Sequence, residues 1–345
     1  MASVLVAMSG GVDSSCSVAL LLQKGYDVVG ATFKLFEPNA TSLRHLGDAA
    51  SVAKLLRVNH LVFDFIDDFK KKVMDYFVKE YLSGKTPNPC VVCNKNIKFG
   101  KALERAQELG FDFIATGHYA RVEFDESSGR FLIKKSLKGK DQSYCLYTLN
   151  QKQISRVIFP LGGFEKSEVR SMAKDFGIGV HNKPDSQDIC FISGNHYDFI
   201  KYYLGEEEKS GNFVDESGIV LGKHKGISRY TVGQRRGIGI ALGERAYIKK
   251  INPIENTITL AIADPPRGNH LVASDLNFIP FEKLTDSIRV TARTRYNCKE
   301  VSATVLPISE HEVKVIFDEN IEFIAPGQSV TFYDGDILVG GGVIN

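Results

Sequence analysis

The sequence predicts an α/β domain built on a parallel sheet, followed by a small β-rich connector domain and a C-terminal β-barrel. Three observations predict this arrangement: strands alternate with helices up to about residue 115, helical periodicity fades after about residue 200, and only strand patterns remain beyond about residue 270. Alternation of this kind indicates a parallel sheet with helices on both faces. We place the predicted domains at residues 1–200, 201–268 and 269–345, since a chain of 345 residues is expected to form two or three.

In the first domain, apolar runs and helical spacing predict each element in turn. An apolar strand ends before residue 9, further strands are predicted at 27–34, 60–65 and 111–116, and helices at 42–57, 67–82 and 94–109. Ligands on parallel sheets bind beyond the carboxyl ends of the strands. The segments that follow the first and the last of these strands are therefore expected to meet at one edge.

The rest of the chain has short β-rich runs separated by Gly, Asp and Asn. We predict strands at 218–221, 246–251 and 257–262 in the connector, and at 288–295, 301–306, 313–317, 329–333 and 337–343 in the C-terminal part. The segment 263–269 (ADPPRGN) has the composition of a linker. This strand series fits a barrel or a sandwich, and we predict the barrel.

Composition favours a globular protein of the cytoplasm. Hydrophobic content of 43% and charged content of 24% are ordinary. No apolar run reaches the roughly 18 residues of a membrane span, and we expect no signal peptide. Six cysteines in such a length do not form a disulfide framework, which indicates a reducing compartment. A net charge of +2 neither requires nor excludes a nucleic-acid partner.

The run VLVAMSGGVDSS at 4–15 predicts a phosphate-binding turn. Adjacent Gly10 and Gly11 allow backbone conformations in which several N–H groups point at one anion, and the helix that follows adds partial positive charge. It is not the kinase-type loop, because no Gly-Lys-Ser/Thr follows the glycines. The alternative is an ordinary strand–helix turn.

The segment TPNPCVVCNK at 86–95 is the second informative feature. Its two prolines stiffen a loop that brings Cys93 to the start of the predicted helix 94–109, where the helix N-terminus and nearby Lys95 and Lys98 are expected to lower the pKa of the thiol. A third thiol, Cys190, lies in another polar loop. The alternative is a structural zinc site formed by Cys90, Cys93 and Cys190 with His181.

The phosphate-binding run resembles the pyrophosphate-binding loop of the ATP pyrophosphatase (adenine nucleotide α-hydrolase-like) superfamily. The whole chain is similar to the bacterial tRNA-specific 2-thiouridylase family. The matching motifs are SGGVDSS at 9–15, TPNPCVVCNKNIKF at 86–99, ATGHY at 115–119, KDQSYCLYTL at 140–149, SQDICFI at 186–192, GQRRGIGI at 233–240, TRY at 294–296, PGQS at 326–329 and a terminal GGG.

This resemblance implies ATP-dependent 2-thiolation of the wobble uridine of tRNA, with Cys93 as nucleophile and Cys190 as carrier of a persulfide sulfur. The residues implied to bind ATP are Ala7, Met8, Ser9, Gly10, Gly11, Val12, Asp13, Ser14, Phe33 and Gly117. Those implied to meet the target base are Asn88, Pro89 and Cys90, and those implied to meet tRNA are His118, Lys140, Asp141, Gln142, Arg295, Tyr296 and Gln328. Mg²⁺ is expected with ATP, with Asp13 as a candidate ligand, and a protein sulfur donor, a cysteine desulfurase or a relay, as partner.

Cys90 departs from the family pattern, which has an aspartate there that is proposed to handle protons at the target base. Related thiolases hold a [4Fe–4S] cluster with three cysteines, so Cys90, Cys93 and Cys190 leave a cluster mechanism as an alternative to persulfide transfer. The sequence also leaves open an ATP-dependent ligase of the same superfamily and an RNA-binding module without activity. We expect Cys16 to be a core thiol on a helix, Cys145 a core thiol in a strand, and Cys298 a surface strand residue.

Overall fold

The computed structural model describes residues 1–37, 40–180 and 189–345, and the side chains of 40–42 are left aside. His181 and residues 186–188 of the motif before Cys190, to which the sequence assigns roles, lie outside the described residues. Within the described part, no helix combines the length and the apolar character that crossing a membrane requires.

Seventeen strands and nine α-helices make up the described chain. The strands are β1 Ser3–Ala7, β2 Asp27–Lys34, β3 Asn59–Asp64, β4 Phe113–Ala115, β5 Ala120–Asp125, β6 Arg130–Lys135, β7 Val157–Ile158, β8 Gly211–Val214, β9 Val220–His224, β10 Ala246–Asn252, β11 Thr257–Ile262, β12 Arg267–Phe278, β13 Ile288–Arg293, β14 Val301–Pro307, β15 Val313–Glu322, β16 Ser329–Asp334 and β17 Ile337–Ile344. The helices are α1 Val12–Gln23, α2 Ala40–Leu55, α3 Ile66–Phe69, α4 Asp75–Leu82, α5 Pro89–Cys93, α6 Ala102–Glu108, α7 Gln151–Ile154, α8 Lys166–Asp175 and α9 His196–Leu204.

A parallel sheet with strand order β3-β2-β1-β4-β7 forms the centre of the first domain. Its middle strand β1 contributes Val4, Leu5 and Val6, which have no exposed surface, as expected for a strand covered on both faces. The order runs outward in both directions from the β1–β4 pair, so the loops after these two strands diverge and leave a crevice at the carboxyl edge. The predicted parallel α/β domain is confirmed.

Two helices of this domain contain π-helical stretches. Lys70–Met74 joins α3 to α4, and Asn94–Lys101 joins α5 to α6. The helix predicted to start at 94 in fact starts at Pro89, because a proline fits the first helical position and the Asn88 side chain caps the N–H of Val91. Cys93 therefore lies after the first turn, which corrects its predicted place at the helix start.

The C-terminal part of the chain forms a closed barrel, as predicted. Its six strands follow the order β12-β15-β14-β13-β16-β17, and antiparallel pairing of β12 with β17 closes the ring. The connector forms a separate four-stranded sheet in the order β10-β11-β8-β9. The first strand of the barrel begins at Arg267, so the second half of the predicted linker 263–269 is a strand.

The first domain and the barrel share a sheet and a core. The hairpin β5–β6, which the sequence analysis did not find, adds to the barrel sheet where Lys134 pairs with Ile337 of β17. Ile279, Tyr333 and Leu338 from the C-terminal part pack within the hydrophobic cluster of the first domain. The first domain and the barrel are separated by the connector in the sequence, but in the structure they pack against each other through a shared sheet and a shared core.

Of the predictions for the other cysteines, the one for Cys16 is confirmed and the strand positions of Cys145 and Cys298 are wrong. Cys16 is buried on α1, and its thiol donates to the carbonyl of Val169 at 3.2 Å. Cys145 lies in the 3₁₀ turn Ser143–Leu146 and Cys298 is exposed between β13 and β14, so neither occupies the strand predicted for it. Both segments follow polar turn residues, whose local hydrogen bonds compete with strand formation.

The shared core predicts that a substitution in the last strand destabilises the first domain. Leu338→Ala removes a side chain with no exposed surface and should lower the free energy of unfolding by about 2–4 kcal/mol. Ile308→Ala, at a residue that is 54% exposed on the barrel, is the matched control and should change it by about 0.5 kcal/mol or less. Urea unfolding followed by far-UV circular dichroism measures both, and equal midpoints for the two variants would contradict the shared core.

Candidate active site

The turn after β1 exposes a set of backbone N–H groups at the start of α1. Gly11 is the N-cap of this helix and provides no side-chain cap, so the first-turn N–H groups remain available to an anion. The serines of the turn bond inward instead: the Ser15 hydroxyl donates to the Gly11 carbonyl at 2.8 Å, and the Ser9 N–H donates to Ser14 Oγ at 3.2 Å. These bonds fix the shape of the turn without occupying its open face.

Two glycines allow the loops of the crevice to approach each other. Gly10 has φ +69°, and a Cβ there would lie 2.4 Å from the carbonyl oxygen of His45 in α2. A Cβ on Gly117, in the loop after β4, would lie 2.9 Å from the Ser14 nitrogen. Since real Cβ atoms do not approach so closely, both positions require glycine. The structure thereby brings the predicted residues 7–14 and Gly117 together.

Asp13 is the counter-ion of this crevice. Its Oδ1 accepts bonds from Lys166 Nζ at 2.6 Å and from the Tyr119 hydroxyl at 2.8 Å, and Lys140 Nζ lies 4.0 Å from Oδ2. A carboxylate bound to an ammonium group is a poor ligand for Mg²⁺, which takes one or two free carboxylates together with substrate phosphates. In the described structure the Asp13 carboxylate is therefore paired with Lys166 and Tyr119 rather than free to bind a metal ion.

Phe33 lies at the carboxyl end of β2, next to the phosphate loop. Its ring is half-buried and stacks on Phe63 with ring centroids 6.1 Å apart, while the Met8 N–H donates to the Ala31 carbonyl of the same strand. The ring thus packs partly into the core, and the backbone of Phe33 lies at the carboxyl edge of the sheet near the phosphate turn.

Three thiols lie on the segments beside the crevice. Cys90 and Cys93 belong to α5, and Cys190 follows the undescribed residues 181–188. Burial raises the pKa of Cys93 to about 12, with the charges of Cys190 and Cys90 acting in the same direction and Lys98 against them. Burial of the thiol, then the charge of Cys90, raises the pKa of Cys190 to about 11, although the residue as a whole is exposed.

The expectation that a helix N-terminus lowers the pKa of Cys93 is wrong. Cys93 is buried after the first turn of its helix, and the loss of hydration of the thiolate outweighs any helix dipole. The mutual electrostatic effects of Cys90, Cys93 and Cys190 nevertheless show that the three predicted cysteines share one neighbourhood.

The donor set does not fit a metal centre in this arrangement. Among the residues that the structure describes, no three or more His, Cys, Asp or Glu side chains are placed to hold a metal ion. Cys90, Cys93 and Cys190 are thus not arranged as ligands of an iron–sulfur cluster. The zinc alternative also needs His181, which lies outside the described residues.

The barrel is hydrogen-bonded to the loop that leads into α5, the helix with Cys90 and Cys93. Gln328 Nε2 donates to the Thr86 carbonyl at 2.8 Å, and the Thr86 N–H donates to the Pro326 carbonyl at 2.7 Å. Gly327 has φ +87° and lies so close that a Cβ would be 2.9 Å from Lys85 Cβ. Gln328 is therefore bonded to the loop that precedes Asn88 and Pro89.

The residues expected to meet tRNA next to the crevice also have internal partners. Asp141 accepts from the Ser143 hydroxyl at 3.0 Å and pairs with Arg293 at 3.3 Å, and Gln142 Oε1 accepts from the Tyr119 N–H at 3.1 Å. They shape the turn that carries Lys140, whose ammonium lies 5.1 Å from the Tyr119 ring centre.

His118 is buried beside this turn. Its Nδ1 lies 2.7 Å from the Thr116 hydroxyl, and its ring is 5.8 Å from that of Phe99. Burial, with Lys98 and Lys140, holds the pKa of His118 well below its usual value, so the ring is neutral at physiological pH.

Arg295 and Tyr296 lie between the barrel and the connector. Arg295 is half-buried, donates to the Val232 carbonyl at 2.9 Å and lies 5.8 Å from the Phe323 ring. Tyr296 is 40% exposed and meets the Tyr144 ring edge-on, so it can offer part of its face to an unpaired base.

Sequence reasoning missed Lys166 and Arg293. Lys166 is the first residue of α8 and lies 153 positions from its partner Asp13, while Arg293 joins Asp141 to Glu300 of the barrel. Neither lies in a local motif: Arg293 falls within the predicted strand 288–295, and no element was predicted around Lys166, which begins α8.

Fold and site together define a class of protein. It is an α/β enzyme with a phosphate-binding glycine turn, and its thiols lie next to a loop that a C-terminal barrel holds in place. Three family models match the chain in sequence: "tRNA methyl transferase HUP domain" at 2–194, "tRNA methyl transferase PRC-barrel domain" at 197–262 and "Aminomethyltransferase beta-barrel domain" at 268–344.

Curated relatives align with the whole chain. The tRNA-specific 2-thiouridylase MnmA of Clostridioides difficile is 48% identical over 351 residues, which cover 99% of this chain and 97% of that protein. The protein of the same name from Acetivibrio thermocellus is 47% identical over 353 residues, with 99% and 98% covered. This chain belongs to the tRNA-specific 2-thiouridylase family.

Solved structures are more distant. A predicted subunit of tRNA methyltransferase from Methanocaldococcus jannaschii aligns at 20% identity with a TM-score of 0.34, covering 60% of this chain and 89% of that one. At this distance the similarity has no bearing on the assignment.

The glycine turn predicts a contrast between neighbouring substitutions. Gly10→Ala places a Cβ 2.4 Å from the His45 carbonyl oxygen at positive φ and should lower the free energy of unfolding by about 2 kcal/mol or more. Gly11→Ala meets nothing closer than Ser9 Oγ at 3.4 Å and should change it by about 0.5 kcal/mol or less. Urea unfolding measures both variants. Equal loss of stability in the Gly10 and Gly11 variants would show that the close contact of Gly10 with His45 does not determine the need for glycine in this turn.

Proposed function

We infer that this chain is an ATP-dependent tRNA uridine 2-sulfurtransferase. The observation that carries the inference is identity of 47–48% to tRNA-specific 2-thiouridylases over 99% of the chain. The site agrees with it, since a phosphate turn beside paired thiols supplies both halves of an exchange of oxygen for sulfur. The family model named for methyl transfer describes the same residues, but neither the turn nor the thiols are suited to that chemistry.

In the first half-reaction, the turn at 9–14 binds the phosphates of Mg-ATP through its N–H groups. The wobble uridine lies in a single-stranded loop, so turning it into the crevice costs only its stacking, a few kcal/mol. Uridine O2 attacks the α-phosphorus, pyrophosphate leaves, and N3 loses its proton. Lys140 and Lys166, which flank Asp13 at the start of α1, oppose the negative charge that collects on the leaving group.

In the second half-reaction, Cys190 brings sulfur as a persulfide. Its terminal sulfur attacks C2, and AMP leaves with the former O2. The Cys93 thiolate then attacks the sulfur of Cys190, which breaks the S–S bond to the base and forms a Cys93–Cys190 disulfide. The sulfur on C2 keeps the bonding electrons, and N3 regains a proton to give 2-thiouridine. An external dithiol must reduce the disulfide before the next turnover.

The remaining requirements follow from this cycle. A protein persulfide donor, a cysteine desulfurase or a relay, must load Cys190, whose exposed position suits such an encounter. All six cysteines are free thiols, as a cycle in the reducing cytoplasm requires. A ligase of the same superfamily would need no such thiols, so the site favours sulfur transfer.

The two half-reactions are predicted to separate in cysteine variants. Cys190→Ser and Cys93→Ser should still release pyrophosphate from ATP when tRNA is added, because adenylation uses neither thiol, yet should form no 2-thiouridine. The exposed Cys298→Ser is the control and should keep full activity. Pyrophosphate release and nucleoside analysis of the tRNA measure the two steps. Thiouridine from either variant would overturn the assigned roles.

Cys90 is predicted to accept the carboxylate that is usual in the family. It is exposed and lies in the first turn of α5, where a negative charge is favourable. Cys90→Asp should therefore fold and keep at least about half of the wild-type thiolation rate. A twofold loss of rate corresponds to an increase of about 0.4 kcal/mol in the activation free energy. The assay supplies a persulfide donor in air. Loss of activity, together with iron bound to the wild-type protein, would favour a cluster instead.

A further inference from the structure

Two lysines follow Cys93 in the sequence, and the structure places them differently. Lys95 is exposed, whereas Lys98 is half-buried. Within the described part of the chain, no hydrogen bond or ion pair links the Lys98 ammonium to a carboxylate or a carbonyl. A half-buried ammonium group without such a partner is unusual, because losing hydration disfavours the charged form unless negative charge is close.

The π-helical stretch determines what Lys98 faces. Asn94–Lys101 follows Cys93 directly, and the N–H of Ala102 at its end bonds to the Ile97 carbonyl, five residues back. In an α-helix a residue five positions on is rotated roughly 140° from the first. In a helix of i→i+5 bonds, which has more residues per turn, the rotation falls to roughly 50°, so the two residues share one face. The π-turn therefore puts Lys98 on the same face as Cys93, while Lys95 points elsewhere.

The groups around this face are mainly thiols. Burial acts to lower the pKa of Lys98, but the charges of the neighbouring thiols, Cys93 first and then Cys90, Cys145 and Cys190, raise it above its usual value. Asn94 Nδ2 donates to the Cys145 carbonyl at 3.0 Å, which fixes the π-turn against the 3₁₀ segment. The neutral ring of His118 adds no competing charge. Lys98 is the nearby cation that opposes the effect of burial on the Cys93 thiol.

We propose that Lys98 stabilises the Cys93 thiolate for its attack on the Cys190 sulfur, and that the π-helical turn exists to place it there. The proposal rests on the function inferred above and assigns a further residue to its second half-reaction. In that step Lys98 stays protonated throughout, while the negative charge passes from the Cys93 thiolate to the sulfur that remains on C2.

The test compares Lys98→Gln with the matched control Lys95→Gln. The rate of alkylation of Cys93 by iodoacetamide is measured by peptide mass spectrometry from about pH 6 to about pH 10. Since the pKa of Cys93 lies above this range, the rate there follows the small thiolate fraction, which grows with pH. Without the ammonium the pKa of Cys93 rises further, so Lys98→Gln should react about tenfold more slowly at a given pH, one pKa unit. Lys95→Gln should match the wild type.

Further measurements keep the test independent of folding and of the proposed function. Alkylation needs neither ATP nor tRNA, so its result stands even if the chain has another activity. Lys98→Arg keeps the charge and should restore the Cys93 rate, which a merely structural role would not require. In single turnover with persulfide-loaded enzyme, Lys98→Gln should slow thiolation while pyrophosphate release stays unchanged. Equal alkylation profiles for the Lys98 and Lys95 glutamine variants would overturn the proposal.

Discussion

The geometry of the site depends on a contact between the barrel and the loop before α5. The parallel sheet fixes the phosphate turn by itself, since Gly10 and Gly117 pack directly against neighbouring backbone. The loop before α5, which carries Cys90 and Cys93 at its end, is bound to the barrel segment at 326–328 through backbone and side-chain bonds to Thr86. The phosphate turn is thus held by the N-terminal domain, and the loop that leads to Cys90 and Cys93 is held by the C-terminal barrel.

Burial of the thiols reflects a conflict that sulfur transfer imposes. A persulfide and an adenylated base both react with water, so a dry pocket protects them, but the same desolvation suppresses the thiolate that the last step needs. Nearby cations lessen this conflict, because they stabilise negative charge where water is excluded. In the crevice Lys166 bonds to Asp13 and Lys140 lies 4.0 Å from the same carboxylate, while Lys98 lies near the thiols.

Features set by neighbouring residues could be predicted from the sequence, whereas features set by contacts between distant segments could not. Strand, glycine turn and helix at 3–23 follow from adjacent residues, and the strands of the barrel follow from alternation along each segment. The hairpin β5–β6 is itself local, closed by a turn at 126–129, and the sequence analysis overlooked it; only its pairing with β17 joins residues about 200 positions apart. The pKa of Cys93 was misjudged because burial depends on which elements pack over the helix. The π-turn that selects Lys98 over Lys95 is likewise set by packing, since both lysines look equivalent in the sequence.

The last strand has a consequence for how the chain reaches this state. β17 pairs with β12, β16 and β6, so the ring cannot close and the hairpin β5–β6 keeps a bare edge until the final residues are available. Contacts this far apart in sequence slow folding and leave unpaired edges open to wrong partners in the meantime. On the ribosome, the first domain would emerge long before the strand that covers its hairpin. A nascent chain is therefore at its most vulnerable until β17 has been synthesised, and shelter by a chaperone matters most before that point.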